Sequence, residues 1–378
     1  MGVVAEKAEA LRLRGRFDWS PLGPLLAMKA VLFLFGLSAY QVLSNQRVAS
    51  FHDFLELWNR WDAPHYLDLA QHGYQSTGDE RFFIVFFPLF PWLTRLVAFL
   101  AGDYLVAAFV VATLASLAAG FLLHALAKLD YGKEFADRAV WFLFIFPTSY
   151  FLHIGYTEGL FLALALGAFL AARREHWWLA GVLGACVCLT RLNGLVLVPA
   201  LAVEAVQQYR RGRRWRWHWF GIGLIGLGVV VYLGLNLRTL GDPLAFLGIQ
   251  QEHWYRTFAW PWQGIHETID SISWRAPTDA HMIGVEELLF TMLGLAATIV
   301  VGLTQRPSYA IWMAGNWLVF TTQLFIYSVP RLSLILFPLY FLFARLAENR
   351  TWYAVLTMWS LLFLALFAGQ FVLGKWAF

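Results

Sequence analysis

Read for apolar and polar positions alone, the chain is a series of long apolar runs separated by short polar breaks. Runs of about 20 residues recur along its length, the number a helix needs to cross a hydrocarbon core about 30 Å thick. Counting them predicts roughly eleven spans. The first covers 21–43 and the second 104–127. Two hairpins of short spans follow at 139–172 and 177–206, broken by polar residues at 147–158 and 190–194. Later spans include 220–237 and 352–373. Two stretches do not fit this pattern. Residues 44–103 and 238–282 are too long and too polar for turns, so they are read as two loops on one side of the membrane. In the first, the run Arg81 to Trp92 is aromatic but interrupted by Pro88 and Pro91, which predicts an interfacial or re-entrant segment and not a full span. The expected fold is therefore an all-α polytopic membrane protein, one integral membrane domain over 1–378, with short helices lying in the first loop.

Composition agrees with this reading. Hydrophobic residues make up 60% and charged residues 14%, against about 25% charged in soluble domains. The net charge of +4 is spread as Lys/Arg clusters between spans, which reports orientation and gives no sign of a nucleic-acid surface. Lys7, Arg12, Arg14 and Arg16 precede the first span, and no cleavage pattern of a signal peptide follows it. The N-terminus is expected in the cytoplasm, and both long loops on the outer face. Cys186 and Cys188 lie two apart in an apolar run, a spacing that predicts neither a disulfide nor a metal site.

The candidate chemistry gathers in the loops and breaks. In the stretch Trp61-Asp62-Ala63-Pro64-His65-Tyr66, Asp62 has the position of a helix N-cap, Pro64 suits a first turn and Gly73 suits the C′ end. Helical spacing puts Asp62, His65 and His72 on one side, with Trp61 and Asp68 at its edge. Glu158, Arg191, Asp242, His253 and Arg331 are the other unusual polar residues, and the topology brings them all to the same face. An arginine within an apolar segment costs about 2.5–3.5 kcal/mol at a helix centre, so Arg191 and Arg331 need partners. A phosphate would serve. So would Glu158 for Arg191, or a snorkelling path to the interface for Arg331.

The stretch around Asp62 with Gly73-Tyr74, the run Phe87-Pro88-Leu89-Phe90-Pro91, Tyr156-Thr157-Glu158, Thr190-Arg191-Leu192-Asn193-Gly194, Gly241-Asp242-Pro243, and Pro330-Arg331 with Phe337-Pro338 resemble the mannosyltransferase family of the glycophosphatidylinositol second-mannose enzyme and its bacterial relatives. The resemblance implies a GT-C-like bundle, a polyprenyl-phosphate sugar as donor, a lipid- or glycan-linked acceptor, and an acidic residue in the first outer loop. It therefore implies a membrane glycosyltransferase, with mannose the favoured sugar and a bacterial plasma membrane the favoured setting. Asp62 is then the expected catalytic base, with Trp61, His65, Tyr66, Glu158, Arg191, Asp242, His253 and Arg331 as substrate-binding residues. No literal Asp-x-Asp is present. No cofactor is expected to be required; a metal-assisted variant would draw on Asp62, His65 and Asp68. A lipid-phosphate flippase or transporter, or a non-catalytic membrane subunit, are the alternatives. Against a transporter stand the lack of repeated halves and of paired broken helices.

Overall fold

The structure is a computed structural model that describes residues 18–213 and 216–378. Lys7, Arg12, Arg14 and Arg16, on which the expected orientation rests, lie outside the described residues, as does Arg214. Among the described residues the chain is helical throughout, apart from one isolated antiparallel bridge between Phe258 and Gln323.

The helices in chain order are α1 (Leu22–Ser44), α2 (Phe51–Glu56), α3 (Ala63–His72), α4 (Leu89–Ala101), α5 (Tyr104–Tyr131), α6 (Lys133–Ile145), α7 (Glu158–Arg173), α8 (Trp177–Cys188), α9 (Leu197–Arg210), α10 (Ile225–Leu240), α11 (Ala245–Glu252), α12 (Pro261–Ile272), α13 (Glu286–Thr304), α14 (Pro307–Thr321), α15 (Val329–Leu332), α16 (Pro338–Leu346) and α17 (Arg350–Val372). Local chemistry sets many of their ends. Asp103 caps α5 by accepting from the Val106 amide at 2.9 Å. Ser50 and Asp53 form a reciprocal capping box on α2. Asn349 accepts from the Thr351 and Trp352 amides to open α17.

Among the described residues five helical segments are long and apolar enough to cross a membrane: Leu22–Ser44, Tyr104–Tyr131, Trp217–Leu240, Pro277–Thr304 and Arg350–Val372. Counting two bent pairs as broken spans raises the number to seven, so eleven full spans are not found among the described residues. The two short hairpins explain much of the gap. Their helices α6 to α9 are only 12–16 residues long. α6 and α7 pack inside the bundle, where protein neighbours take the place of lipid, while α8 and α9 keep an exposed apolar face at Trp178, Leu179, Val182 and Val206 but are too short to cross alone. From Glu158 to Ala172 every residue of α7 except Leu164 is buried. Around α7 lie α5 and α8, while α9 pairs with α14 and α17 with α1. The chain is a multi-pass, all-helical membrane protein.

The first bent pair, Asp79–Val85 with Leu89–Ala101, turns by 111°. It is the proline-interrupted run read from the sequence as interfacial, and with α2 and α3 it builds the first loop from short helices. Trp58 ties that loop to the bundle. Its indole is fully buried, and it packs so closely on α1 that a Cβ at Gly36 would lie 2.3 Å from its Cζ2. Overpacking of this kind costs about 1–3 kcal/mol. Gly36→Val should therefore lower the thermal midpoint of the detergent-solubilised protein by displacing Trp58. A midpoint equal to the parent's would show that the loop is anchored elsewhere.

Candidate active site

Asp62 stands where the first loop turns into α3. The residue before it, Trp61, has a left-handed backbone at φ 57°, an uncommon conformation for a bulky residue. Tyr156 holds the turn from below: its hydroxyl donates to the Arg60 carbonyl at 2.7 Å and accepts from the Asp62 amide at 3.2 Å. The Asp62 side chain makes no cap hydrogen bond. It accepts instead from Nη1 of Arg331 at 2.8 Å. The N-cap reading of Asp62 thus holds for position but not for its carboxylate, because a charge-assisted bond to a guanidinium outcompetes a neutral amide.

Arg331 is buried, which answers the snorkelling alternative: it turns inward. Its guanidinium lies 5.3 Å from the ring centres of both Phe151 and Tyr156. Its Nε is 2.9 Å from Oε1 of Glu158, close enough for an ion pair but not aligned for a hydrogen bond. The same Oε1 accepts from Nη2 of Arg191, whose Nε donates to Thr157 at 3.0 Å. Asp62, Arg331, Glu158 and Arg191 therefore form one alternating chain of charge. The expected Arg191–Glu158 pair is real, and Arg331 shares it. Oε2 of Glu158 is buried without a hydrogen-bond partner. Breaking a buried pair by removing one member costs about 3–5 kcal/mol, so each residue in the chain constrains the others.

Above this chain opens a cavity of about 260 Å³ lined by Asp62, Tyr66, Arg191, Trp254, Arg256 and Arg331 among others. The loop carrying Trp254 and Arg256 is clipped across it. The Leu324 amide donates to Thr257 O at 3.0 Å, beside the Phe258–Gln323 bridge. Among the described residues no group of three or more His, Cys, Asp and Glu could hold a metal ion.

Residues 31–214 match the family described as Mannosyltransferase (PIG-V). Over that segment the chain is similar to the PIG-V mannosyltransferases. It is 35% identical over 151 residues to GPI alpha-1,6-mannosyltransferase 2 of Cricetulus griseus, an alignment covering 37% of this chain and 30% of that protein. To the Homo sapiens protein of the same name it is 32% identical over 162 residues, covering 40% of this chain and 32% of the relative. The chain thus aligns with about a third of the length of these relatives. Among solved structures it is similar to the apo oligosaccharyltransferase of Archaeoglobus fulgidus, at 11% identity and a TM-score of 0.44 over 93% of this chain and 56% of that one. It is also similar to ArnT from Cupriavidus metallidurans bound to undecaprenyl phosphate, at 16% identity and a TM-score of 0.43 over 93% and 78%.

The PIG-V-like segment 31–214 carries Asp62, Tyr66, Glu158 and Arg191; Arg256 and Arg331 lie beyond it. Of the residues singled out in the sequence, Asp62, Tyr66, Arg191 and Arg331 line the cavity, and Glu158 supports it from beneath. His65 stands at its edge, its ring 4.4 Å from Phe83 and 5.2 Å from Phe86. Trp61 turns away, edge-on to Trp376 at 5.0 Å. His253 is exposed and stacks on Phe82 at 4.0 Å. Asp242 is not brought in. It is exposed, and its carboxylate accepts from the Leu244 amide at 2.9 Å, as a Gly-Asp-Pro turn would dictate. His72 is spent on a pair with Asp68 at 2.8 Å one helical turn away, so neither reaches the cavity.

Two residues of this site escaped the sequence reading. Arg256 lines the cavity and makes no ion pair among the described residues. Its signal was a left-handed Tyr255 (φ 53°), which no sequence pattern announces. Glu287, fully buried in α13, accepts from the Ser328 and Val329 amides at 2.7 and 2.8 Å. It thereby fixes the start of α15, where Ser328 is again left-handed (φ 64°), and so aims Arg331. A carboxylate inside a long apolar span was the available signal, since burial at that price demands a partner.

Burial alone would raise the Asp62 carboxyl, but Arg331 beside it, with lesser help from His65 and Arg191, holds it below its ordinary value. Burial pushes the His65 imidazole down, and Asp62 and Asp68 restore only part of that. His65 is therefore neutral near pH 7, while Asp62 is ionised. A carboxyl depressed in the fold contributes stability that is present above its unfolded value of 3.8 and lost as pH falls through the folded one. The stability advantage of the parent over Asp62→Asn should then be constant from about pH 5 to 8 and shrink only below about pH 4. Thermal midpoints of the two proteins in detergent across that range test this; an advantage that fades between pH 7 and 5 would mean that Asp62 is not held low.

Proposed function

We propose that the protein is a membrane glycosyltransferase that moves a hexose, mannose first, from a polyprenyl-phosphate sugar to a lipid- or glycan-linked acceptor on the outer or lumenal face. The names of its relatives supply the sugar. One observation carries the donor class. Three guanidiniums, Arg191, Arg256 and Arg331, meet two carboxylates, Asp62 and Glu158, at one cavity. The surplus is a single positive charge, which a lipid phosphodiester monoanion neutralises and a nucleotide diphosphate would overshoot.

The proposed reaction is a displacement at the anomeric carbon. The bond from that carbon to the lipid phosphate oxygen breaks as the acceptor oxygen forms its own bond, with inversion; the acceptor proton passes to Asp62, and the leaving phosphate keeps the electron pair. Charge therefore grows on the phosphate as the bond breaks, and the arginines lining the cavity face that charge. Arg331 has a second task. In the ligand-free protein it holds Asp62; as the phosphate gains charge, it competes for the same guanidinium, and Asp62 becomes a stronger base when the proton must move. A weak base suffices beforehand because the hydroxyl acidifies late in an oxocarbenium-like displacement. Neutral His65 and the Tyr66 ring flank Asp62 and would orient the sugar. On this reading the guanidiniums carry the role a metal would otherwise fill, and none is required.

The testing variant is Asp62→Asn, since asparagine keeps the size and an oxygen for Arg331. With purified protein and labelled polyprenyl phosphate mannose, donor binding should persist while transfer falls at least about 10²-fold. Turnover near the parent's in a folded Asp62→Asn protein would remove Asp62 as the base.

A further inference from the structure

A second basic cleft lies on the far side of Tyr74 from the catalytic cavity. It measures about 530 Å³ and is lined by Gly73, Tyr74, Ser76, Trp92, Arg95, Arg238 and their neighbours. Tyr74 forms the partition: its hydroxyl donates to the Phe86 carbonyl at 2.6 Å, and Phe86 lines the catalytic cavity. Arg95 donates from Nε to Ala70 O at 2.5 Å and from Nη2 to Leu69 O at 3.4 Å, which ties it to the C-terminal turn of α3. Arg238, in the last turn of α10, makes no hydrogen bond through its side chain among the described residues. Neither arginine makes an ion pair among them. Two guanidiniums thus share one cleft with no carboxylate to balance them, unlike the arginines of the catalytic cavity.

The cleft walls say what sort of anion fits. On α4 the residues Trp92, Leu96, Phe99 and Leu100 are exposed and fall on one helical face. On α10 Val230, Val231 and Leu237 are exposed as well. α10 belongs to a segment long and apolar enough to cross a membrane and α4 to the pair bent by 111°, and exposed apolar faces of this extent suit contact with lipid. Arg95 and Arg238 sit where that surface gives way to polar residues, with the hydroxyls of Ser76 and Thr239 beside them. We propose that this cleft binds the phosphodiester of a membrane lipid, the two guanidiniums and two hydroxyls on its oxygens and its chains along α4 and α10. Because Arg95 also holds the end of α3, an occupied cleft braces the helix that begins at Asp62.

The same chemistry has two sources, bulk anionic phospholipid or the lipid carrier of an acceptor. Lipid retention does not depend on the transferase reading, so it is measured first. The full chain in detergent is given equal amounts of phosphatidylglycerol and phosphatidylcholine, and bound lipid is counted by native mass spectrometry. Phosphatidylglycerol should be retained in preference, and Arg238→Gln, which breaks no bond in the fold, should cut that retention about tenfold. Acceptor kinetics then separate the sources: in Arg238→Gln a raised acceptor KM with an unchanged donor KM identifies the acceptor's phosphate, and unchanged values for both identify bulk lipid. Equal retention of the two lipids by the parent, or undiminished phosphatidylglycerol retention by a folded Arg238→Gln protein, would overturn the proposal.

Discussion

A guanidinium cannot stay charged inside a membrane protein without anions to meet it, and Arg331 is where that constraint acts most strongly. It is buried, flanked by Phe151 and Tyr156, and met by two carboxylates from distant parts of the chain, Asp62 in the first loop and Glu158 at the head of the central helix α7. A third carboxylate, Glu287, sets the backbone that presents it. The fold around the cavity follows from satisfying this one residue. The first loop must return to the bundle to deliver Asp62, the broken hairpin at 146–157 must open to deliver Glu158, and α15 must interrupt what would otherwise be a continuous span.

Backbone strain marks the same places. Among the described residues six non-glycine positions take a left-handed backbone: Asn45, Trp61, Glu175, Tyr255, Ser328 and Phe378. Trp61 and Tyr255 immediately precede Asp62 and Arg256, and Ser328 stands three residues before Arg331. Such conformations cost about 1–3 kcal/mol each and persist where surrounding contacts over-determine them. Here Tyr156, the Phe258–Gln323 bridge and Glu287 are those contacts. The strain is spent on aiming charged side chains at a common point.

The class of the protein was legible because lipid permits so few solutions; long apolar runs with basic breaks read as a polytopic bundle, and the run holding the prolines at 88 and 91, expected to be interfacial or re-entrant, is bent by 111°. The number of spans was not legible. Hydropathy sees the apolar character of α6 to α9 but cannot tell lipid from protein as their neighbour; α6 and α7 lie within the bundle, and α8 and α9 are covered on one side only. Asp62, Glu158, Arg191 and Arg331 stood out for a physical reason: a charge beside an apolar run is too costly to be idle. Asp242 stood out for the wrong one, since a Gly-Asp-Pro turn explains its carboxylate fully. Arg256 was hidden because an exposed loop arginine looks ordinary until the fold clips that loop across the cavity.

The central claim is that a single surplus positive charge at the Asp62–Arg331–Glu158–Arg191 chain and Arg256 suits a lipid monophosphate donor. The direct measurement offers the purified protein the same labelled mannose on two carriers, a polyprenyl monophosphate and a nucleotide diphosphate, with a common lipid-linked acceptor. The account predicts transfer from the polyprenyl monophosphate alone. Transfer from the nucleotide diphosphate at a comparable rate would contradict it.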